Sequence, residues 1–450
     1  MARPTKSGSS SGRTGNGSDS VRAKRIFYGD IIKLIKYNMV KIKHLGLIVI
    51  LGLFASCSEH NPNCPKLAKI HKIEKQYLES HKCEVGKVDL YVENSGSMDG
   101  YVHGNTEFKT DLFNVVKLLG GKEPVNKFFI NADTIIRTIL SDYDFSNGMS
   151  VGVFQKWGGN RESSNIAELL EKIIRETDSK GISVFVSDCV FDPQNDPDIE
   201  KRLGQQKTTI QTALKRKLGK DSNFGVVVYR MMSSFTGFYY NKVKPHTYLT
   251  NTQRPYYMWI FGDANKLREV RNLLGKDVES RAGKNIIVAM NTIEGLPYYC
   301  PSAKCNQARG KHIEEPKEVK GIFSFWVKVD FRTLPLDDAY LMNVANYDLP
   351  KNSDYVIEKV RKCKKQDSKY THEIRIVKNK GDVKKNTLLE IVLKHPKIPG
   401  WVVADTDEKG IDFLNGNIRK TNRTFGLKSY VDGIYDAYET NIANFKILIK

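Results

Sequence analysis

A carboxylate and two hydroxyls fall at alternate positions in the stretch Glu93, Asn94, Ser95, Gly96, Ser97, directly after the apolar run VDLYV. If that run is a buried strand, Glu93, Ser95 and Ser97 lie just past its end, where short side chains in a turn converge above a sheet edge. Oxygen donors of this kind suit a hard cation such as Mg2+, with water filling the remaining positions. The same residues also suit plain structural work, because Ser and Gly favour helix caps and turns. A third chemistry is nucleophilic, with Ser95 or Ser97 attacking a substrate. GSMDG is not the G-x-S-x-G elbow, however, and of the nine His residues only His103 is close in sequence to these serines. A serine-dependent hydrolase is therefore the alternative, and cation binding the leading expectation.

Such a site needs a sheet to present it. From Lys87 to Leu274, strand-like runs (VDLYV, FFINA, ISVFVSD, FGVVVYRMM, YYMWIFG) alternate with amphipathic stretches. Apolar residues at Phe108, Leu112, Val115, Val116 and Leu119, and at Ile166, Leu169, Leu170, Ile173 and Ile174, have helical spacing. Further helices are expected over 209–218 and 266–274. Nearly continuous apolar strands separated by helices predict an α/β domain over 87–284, with a doubly wound, mostly parallel sheet covered on both faces. Ligands of such sheets bind at the carboxyl ends of the strands. After residue 285 strand signals dominate: IIVAMNT, then Phe323, Phe325, Val327 and Val329 in alternation, HEIRIV, then Leu389, Ile391 and Leu393, and FKILI. One helix, about 427–438, interrupts them. This pattern predicts a β-rich, sandwich-like C-terminal domain over 285–450.

The residues after VDLYV resemble the metal-ion-dependent adhesion site of the von Willebrand factor A (vWA) domain, where D-x-S-x-S, typically inside DxSGSM, follows the first strand. The family adds a Thr in a loop before a helix, often as GGT. Here Gly158, Gly159, Asn160, Arg161, Glu162, Ser163 and Ser164 precede NIAELLEKI, and Ser164 matches that Thr, with Ser163 the close alternative. The family then places an Asp after the next long strand, commonly as Thr-Asp-Gly, and ISVFVSDCV supplies Ser187 and Asp188. Glu93 stands where the family has its first Asp, and Cys189 where it has the Gly after the second. The resemblance covers about 87–274. It implies a vWA-like fold in which Glu93, Ser95, Ser97, Ser164 and Asp188 surround one Mg2+. It also implies that an acidic residue of a partner protein completes the coordination, which makes the chain a binding or adhesion module rather than an enzyme. Asp99 and Tyr101 lie near the same rim.

The compartment follows from a second motif. Leu45–Ser56 (LGLIVILGLFAS) is apolar, with Lys41 and Lys43 before it and a polar stretch after it. At 12 residues it is too short for a bilayer, which takes about 20, but it suits the h-region of a signal peptide. Ala55, Ser56 and Cys57 resemble the lipobox of bacterial lipoproteins, with Phe54 where Leu is usual. The resemblance implies cleavage before Cys57, acylation of that cysteine and a lipid anchor on a bacterial membrane, on its periplasmic or surface face. MVKIKHLGLIVILGLFASC is a complete leader in itself, so translation is expected to begin at Met39. Residues 1–38 are then a non-native or disordered extension, 39–56 the signal peptide and 57–86 a linker with a stalk helix.

Of the 71 basic and 51 acidic residues, ten and two precede Cys57, which leaves the mature chain at +12. The charges are well mixed, and runs such as KNKGDVKK read as solvated loops, so no nucleic-acid partner is implied. In an oxidising compartment disulfides persist. Cys300 and Cys305 are close enough in sequence to close a short loop, and Cys64 with Cys83 to brace the linker. Cys189, after an apolar strand, is expected to be a buried thiol.

Overall fold

The computed structural model describes residues 84–449 apart from short internal stretches, the longest being 241–245, 300–311, 314–321, 365–369 and 411–419. The leader, the stalk helix, Cys57, Cys64, Cys83, Ser163, Cys300 and Cys305 lie outside the described residues.

Strands β1 (Val88–Glu93) and β4 (Ile182–Ser187) form where apolar residues run almost without a break. Every residue of β4 is buried, and in β1 only Asp89 is partly open, the pattern of strands covered on both faces. They pair in parallel, from Val88 opposite Ile182 to Val92 opposite Val186. Glu93 and Ser187 therefore leave the sheet side by side. On its other side β1 pairs in parallel with β2 (Asn126–Ile130), and β3 (Ile135–Thr138) adds antiparallel to β2. Beyond β4 come β6 (Thr247–Asp263), β5 (Phe224–Tyr239) and β7 (Ile286–Ala289), each antiparallel to its neighbour. The sheet has seven strands in the order β3-β2-β1-β4-β6-β5-β7.

The expected mostly parallel pairing thus holds for β2, β1 and β4 and gives way to antiparallel pairing outside them. Connection length is the reason. Only residues 240–246 join β5 to β6, too few for the crossover that a parallel pair requires. This hairpin is also longer than its apolar runs, because polar residues such as Thr247, Thr252 and Gln253 still take part in the ladder. Its outer half reaches over the turn that follows β1. There Gly100 lies so close to Phe235 that a Cβ would sit 2.4 Å from the ring.

The helices present the faces that their spacing predicts. Helix α1 (Glu107–Leu119) buries Phe108, Leu112, Val115, Val116 and Leu119. After α2 (Val151–Lys156), α3 (Ile166–Glu176) buries Ile166, Leu169, Leu170, Ile173 and Ile174. Helix α4 (Ile199–Leu218) starts ten residues before the expected 209, on Asp198, whose side chain accepts from the Lys201 amide at 3.0 Å. Its first half is too polar to show a period, so the cap was the available signal. Helix α5 (Ala264–Leu274) agrees with expectation.

IIVAMNT forms β7, the edge strand of the large sheet. Later strands build two four-stranded sheets. One is β12-β13-β10-β8, from β8 (Tyr298–Tyr299), β10 (Ser324–Val329), β12 (Tyr355–Lys362) and β13 (His372–Lys378). The other is β11-β14-β17-β9, from β9 (His312–Ile313), β11 (Tyr347–Asp348), β14 (Thr387–Lys394) and β17 (Asn441–Ile449). Phe325, Val327 and Val329 alternate buried with half-buried Ser324, Trp326 and Lys328, and Leu389, Ile391 and Leu393 are buried. A short parallel pair, β15 (Thr406–Asp407) and β16 (Thr424–Phe425), precedes helix α6 (Leu427–Tyr435). Helix α6 packs on α4 so closely that a Cβ on Gly433 would lie 2.7 Å from the Lys207 carbonyl oxygen. No helix among the described residues is long and apolar enough to cross a membrane.

Candidate functional site

From β1 the chain passes to β2 on one side and later to β4 on the other, so the carboxyl ends of β1 and β4 flank a topological switch point, the usual ligand crevice of open α/β sheets. The parallel register delivers Glu93 and Ser187 there together, and Ser187 Oγ donates to Glu93 Oε2. Ser187 Oγ also accepts from the Cys189 amide at 2.8 Å.

After Glu93 the chain enters one 3-10 turn, Gly96–Tyr101. The turn folds the serines back over the strand ends. Ser97 Oγ donates to Asp188 Oδ1 at 3.2 Å and lies 3.1 Å from Ser95 Oγ. Asp188 Oδ1 accepts the Val190 amide at 3.2 Å as well. From the loop before α3, the Ser164 hydroxyl lies near enough to Glu93 to favour its charged form, yet it makes no hydrogen bond of normal geometry. Glu93, Ser95, Ser97, Ser164 and Asp188 are thereby gathered at one edge. Four of them are buried, and Ser97 is partly open.

The electrostatics of the cluster follow from that burial. Desolvation and then the neighbouring Asp188 push Glu93 up to about 7, against the pull of Ser187, Ser95 and Ser164. Asp188 is raised too, first by burial, with Arg254, the Val190 amide and Ser97 opposing. Two buried carboxylates that disfavour each other's charge gain from a positive occupant. Two carboxylates and three hydroxyls from three loops, one hydroxyl lacking a partner, fit a hard, oxygen-preferring ion. Among the described residues no three His, Cys, Asp or Glu side chains form a metal-holding group. In this cluster hydroxyls would have to make up the set.

Several supporting residues escaped sequence reasoning. Arg161 donates to the carbonyl oxygen of Asn94 at 2.6 Å and pairs with Asp99, which fixes the turn. The Asn94 side chain bridges Phe154 O at 3.2 Å and Asn131 at 2.9 Å. Arg254 on β6 is fully buried, with its guanidinium 4.1 Å from the Tyr239 ring centroid, and it donates to Thr421 O at 2.9 Å. A single Arg heading the apolar run RPYYMWIFG was the one visible sign of it. The C-terminal segment covers the crevice through these contacts and others. Tyr257 donates to Thr424 Oγ1 at 3.1 Å, the Phe191 amide to Phe425 O at 2.9 Å, and Tyr430 on α6 is fully buried.

Of the two rim residues, Tyr101 belongs to the core: it is fully buried, donates to Pro255 O at 2.5 Å and packs edge-on against Phe235 and Tyr256. Asp99 is held in the ion pair with Arg161. No histidine hydrogen-bonds Ser95 or Ser97 among the described residues, and the Ser97 hydroxyl is directed to Asp188. Cys189 is a buried thiol, as expected, and adopts φ of 53°, a left-handed conformation uncommon outside glycine.

Compared with protein-family models, with curated proteins and with solved structures, the chain matches none.

Proposed function

We propose that this chain is a lipid-anchored binding module of the bacterial cell envelope, held by acylated Cys57, with a vWA-like α/β domain that takes one Mg2+ at its carboxyl edge and a sandwich-like C-terminal domain. The observation that carries the cation reading is the convergence of Glu93, Ser95, Ser97, Ser164 and Asp188 at the switch point of the sheet. The backbone at Cys189 supports the vWA likeness, because the left-handed φ falls where that family carries Gly. The leader from Met39 to Cys57 supports the anchor.

On this reading the cation collects Glu93 and Asp188 as charged ligands and stays electrophilic enough to attract an acidic side chain of a protein partner. The partner approaches from the side of Ser97, the most open of the five. Calorimetry of the full chain in detergent with millimolar Mg2+ or Mn2+ tests the site, and pull-down with and without chelator tests the partner. Absence of cation uptake by the wild type would remove the reading.

A further inference from the structure

The chain leaves the large sheet at Met290, directly after β7, and a histidine holds that exit. The amide of buried Met290 donates to His395 Nε2 at 3.3 Å, while the other ring nitrogen, Nδ1, lies 2.9 Å from the Pro396 carbonyl oxygen. These partners fix the proton. An amide N–H only donates, so Nε2 must be bare, and a carbonyl oxygen only accepts, so Nδ1 must carry the hydrogen. His395 is therefore neutral, in a single tautomer, while both bonds exist. It stands at the end of β14 and ties that strand's sheet to β7. Its own backbone amide donates to Thr440 O at 2.8 Å, just before β17, and further along the exit the Ile293 amide donates to Ile442 O at 2.7 Å.

A proton on Nε2 would set one N–H against another and leave the Met290 amide without its acceptor. The side chains packed on the ring are the phenols of Tyr435, on α6, and Tyr438, just past it, with centroids 5.4 and 6.3 Å away. The Tyr435 hydroxyl donates to Lys397 O at 3.2 Å. Of the charged groups on these elements, Lys394 pairs with Asp348 at 3.0 Å, Asp436 pairs with Lys207 at 2.7 Å, and Glu439 accepts from the Thr292 amide at 3.3 Å. None of them forms an ion pair with the ring among the described residues. Burial accordingly holds the imidazole below its usual range, with the Pro396 carbonyl opposing. The residue is only partly buried, so solvent protons reach it.

We propose that His395 is a pH-operated clamp between the large sheet and the C-terminal strands: neutral, it holds the Met290 amide and closes the junction, and protonated on Nε2 it releases that amide and loosens 290–293 from β14 and β17. The clamp is independent of any cation at Glu93 and Asp188. Its contribution is whole above the unfolded histidine's pKa of about 6.5 and is lost as pH falls through the lower folded value. By the same linkage, a force that draws 290–293 away makes the ring a better base.

His395→Gln offers an oxygen acceptor and an amide donor but takes up no proton. Hydrogen exchange on the full chain in detergent, corrected for the intrinsic effect of pH, should show the wild-type amides of 290–293 about tenfold less protected at about pH 4.5 than at about pH 7, the scale of one hydrogen bond lost by a buried donor. In His395→Gln their protection should not change between the two. An equal loss in both proteins would overturn the clamp by placing the acid response in other groups, and so would wild-type protection that pH leaves unchanged. Ring nitrogen chemical shifts of the wild type check the same point with no variant involved. At about pH 7 they should report Nδ1–H with a bare Nε2, and their titration should share its midpoint with the loss of protection. The opposite tautomer, or midpoints that differ, would overturn the proposal.

Discussion

Ser97 Oγ donates to Asp188 Oδ1 at 3.2 Å across 91 positions of sequence. That bond ties the turn after β1 to the end of β4, and it puts a hydroxyl and a carboxylate from different loops on one point. If that point is a cation site, Asp188→Ala should abolish Mg2+ uptake and Glu93→Asp should retain or strengthen it. Calorimetry at millimolar Mg2+ decides, and unchanged binding in Asp188→Ala would mean that the ligand set is wrong.

Ser187 supplies the hydrogen bond that holds the Glu93 carboxylate. Ser187→Ala should destabilise the fold by about 1–3 kcal/mol, the cost of leaving a buried acceptor without its donor. Urea unfolding of the two proteins side by side measures the difference.

Cys189 pairs a strained backbone with a useful side chain, since the Trp259 indole N–H points at its sulfur from 3.3 Å. Cys189→Gly relieves a strain of about 1–2 kcal/mol and forfeits that contact. Its stability should stay within about 1 kcal/mol of wild type. Cys189→Val keeps a side chain but adds β-branching in the left-handed region, and it should cost about 2 kcal/mol or more. Thermal melts of both variants rank them, and a Val variant as stable as the Gly variant would contradict the account.

Asp111 gives a pH signature away from the site. Burial pushes it up to about 6, against Tyr256 and Arg281, both of which donate to it. The folded protein therefore holds this proton more tightly than the unfolded chain. The associated stability is present in full below about pH 4 and is lost as pH rises through about 6, on the order of 3 kcal/mol. Asp111→Asn should flatten that part of the stability profile. Unfolding midpoints at half-unit steps from pH 4 to 7 show whether the slope lessens, Glu93 keeping its own share of it because it is raised to about 7.

The anchor is tested on native material. Mass spectrometry should find acylated Cys57 as the mature N-terminus and no peptides from SGSSSGRTGNGSDSVR. An intact, unmodified peptide across Ser56 and Cys57 would refute the leader reading.

The parts of the fold that could be read from the sequence are those in which the pattern is local. VDLYV and ISVFVSD declare buried strands because both faces are apolar, and the faces of α1 and α3 follow from spacing alone. The site was legible to the same extent, since Glu93, Ser95, Ser97 and Asp188 stand at strand ends. Arg254 was hidden because its role depends on a hairpin and a C-terminal segment that return over the crevice, and nothing in RPYYMWIFG records where that segment lands. Direction failed for a related reason. An apolar run is equally good as a parallel or an antiparallel strand, and only the short 240–246 connection reveals which one β5 and β6 form.

The cover over the crevice comes from residues near 421–425, while the carboxylates themselves are at 93 and 188. A chain that emerges N-terminus first can therefore assemble β1, β4 and the serine turn long before their roof exists. During that interval Glu93 and Asp188 are solvated, their charges cost little, and an ion can reach them without crossing packed protein. Arrival of β16 and α6 then withdraws the pair from water and raises the barrier to exchange. On the proposed cation reading, an ion would thus be selected early and retained kinetically, and a chain truncated before 420 would exchange it freely.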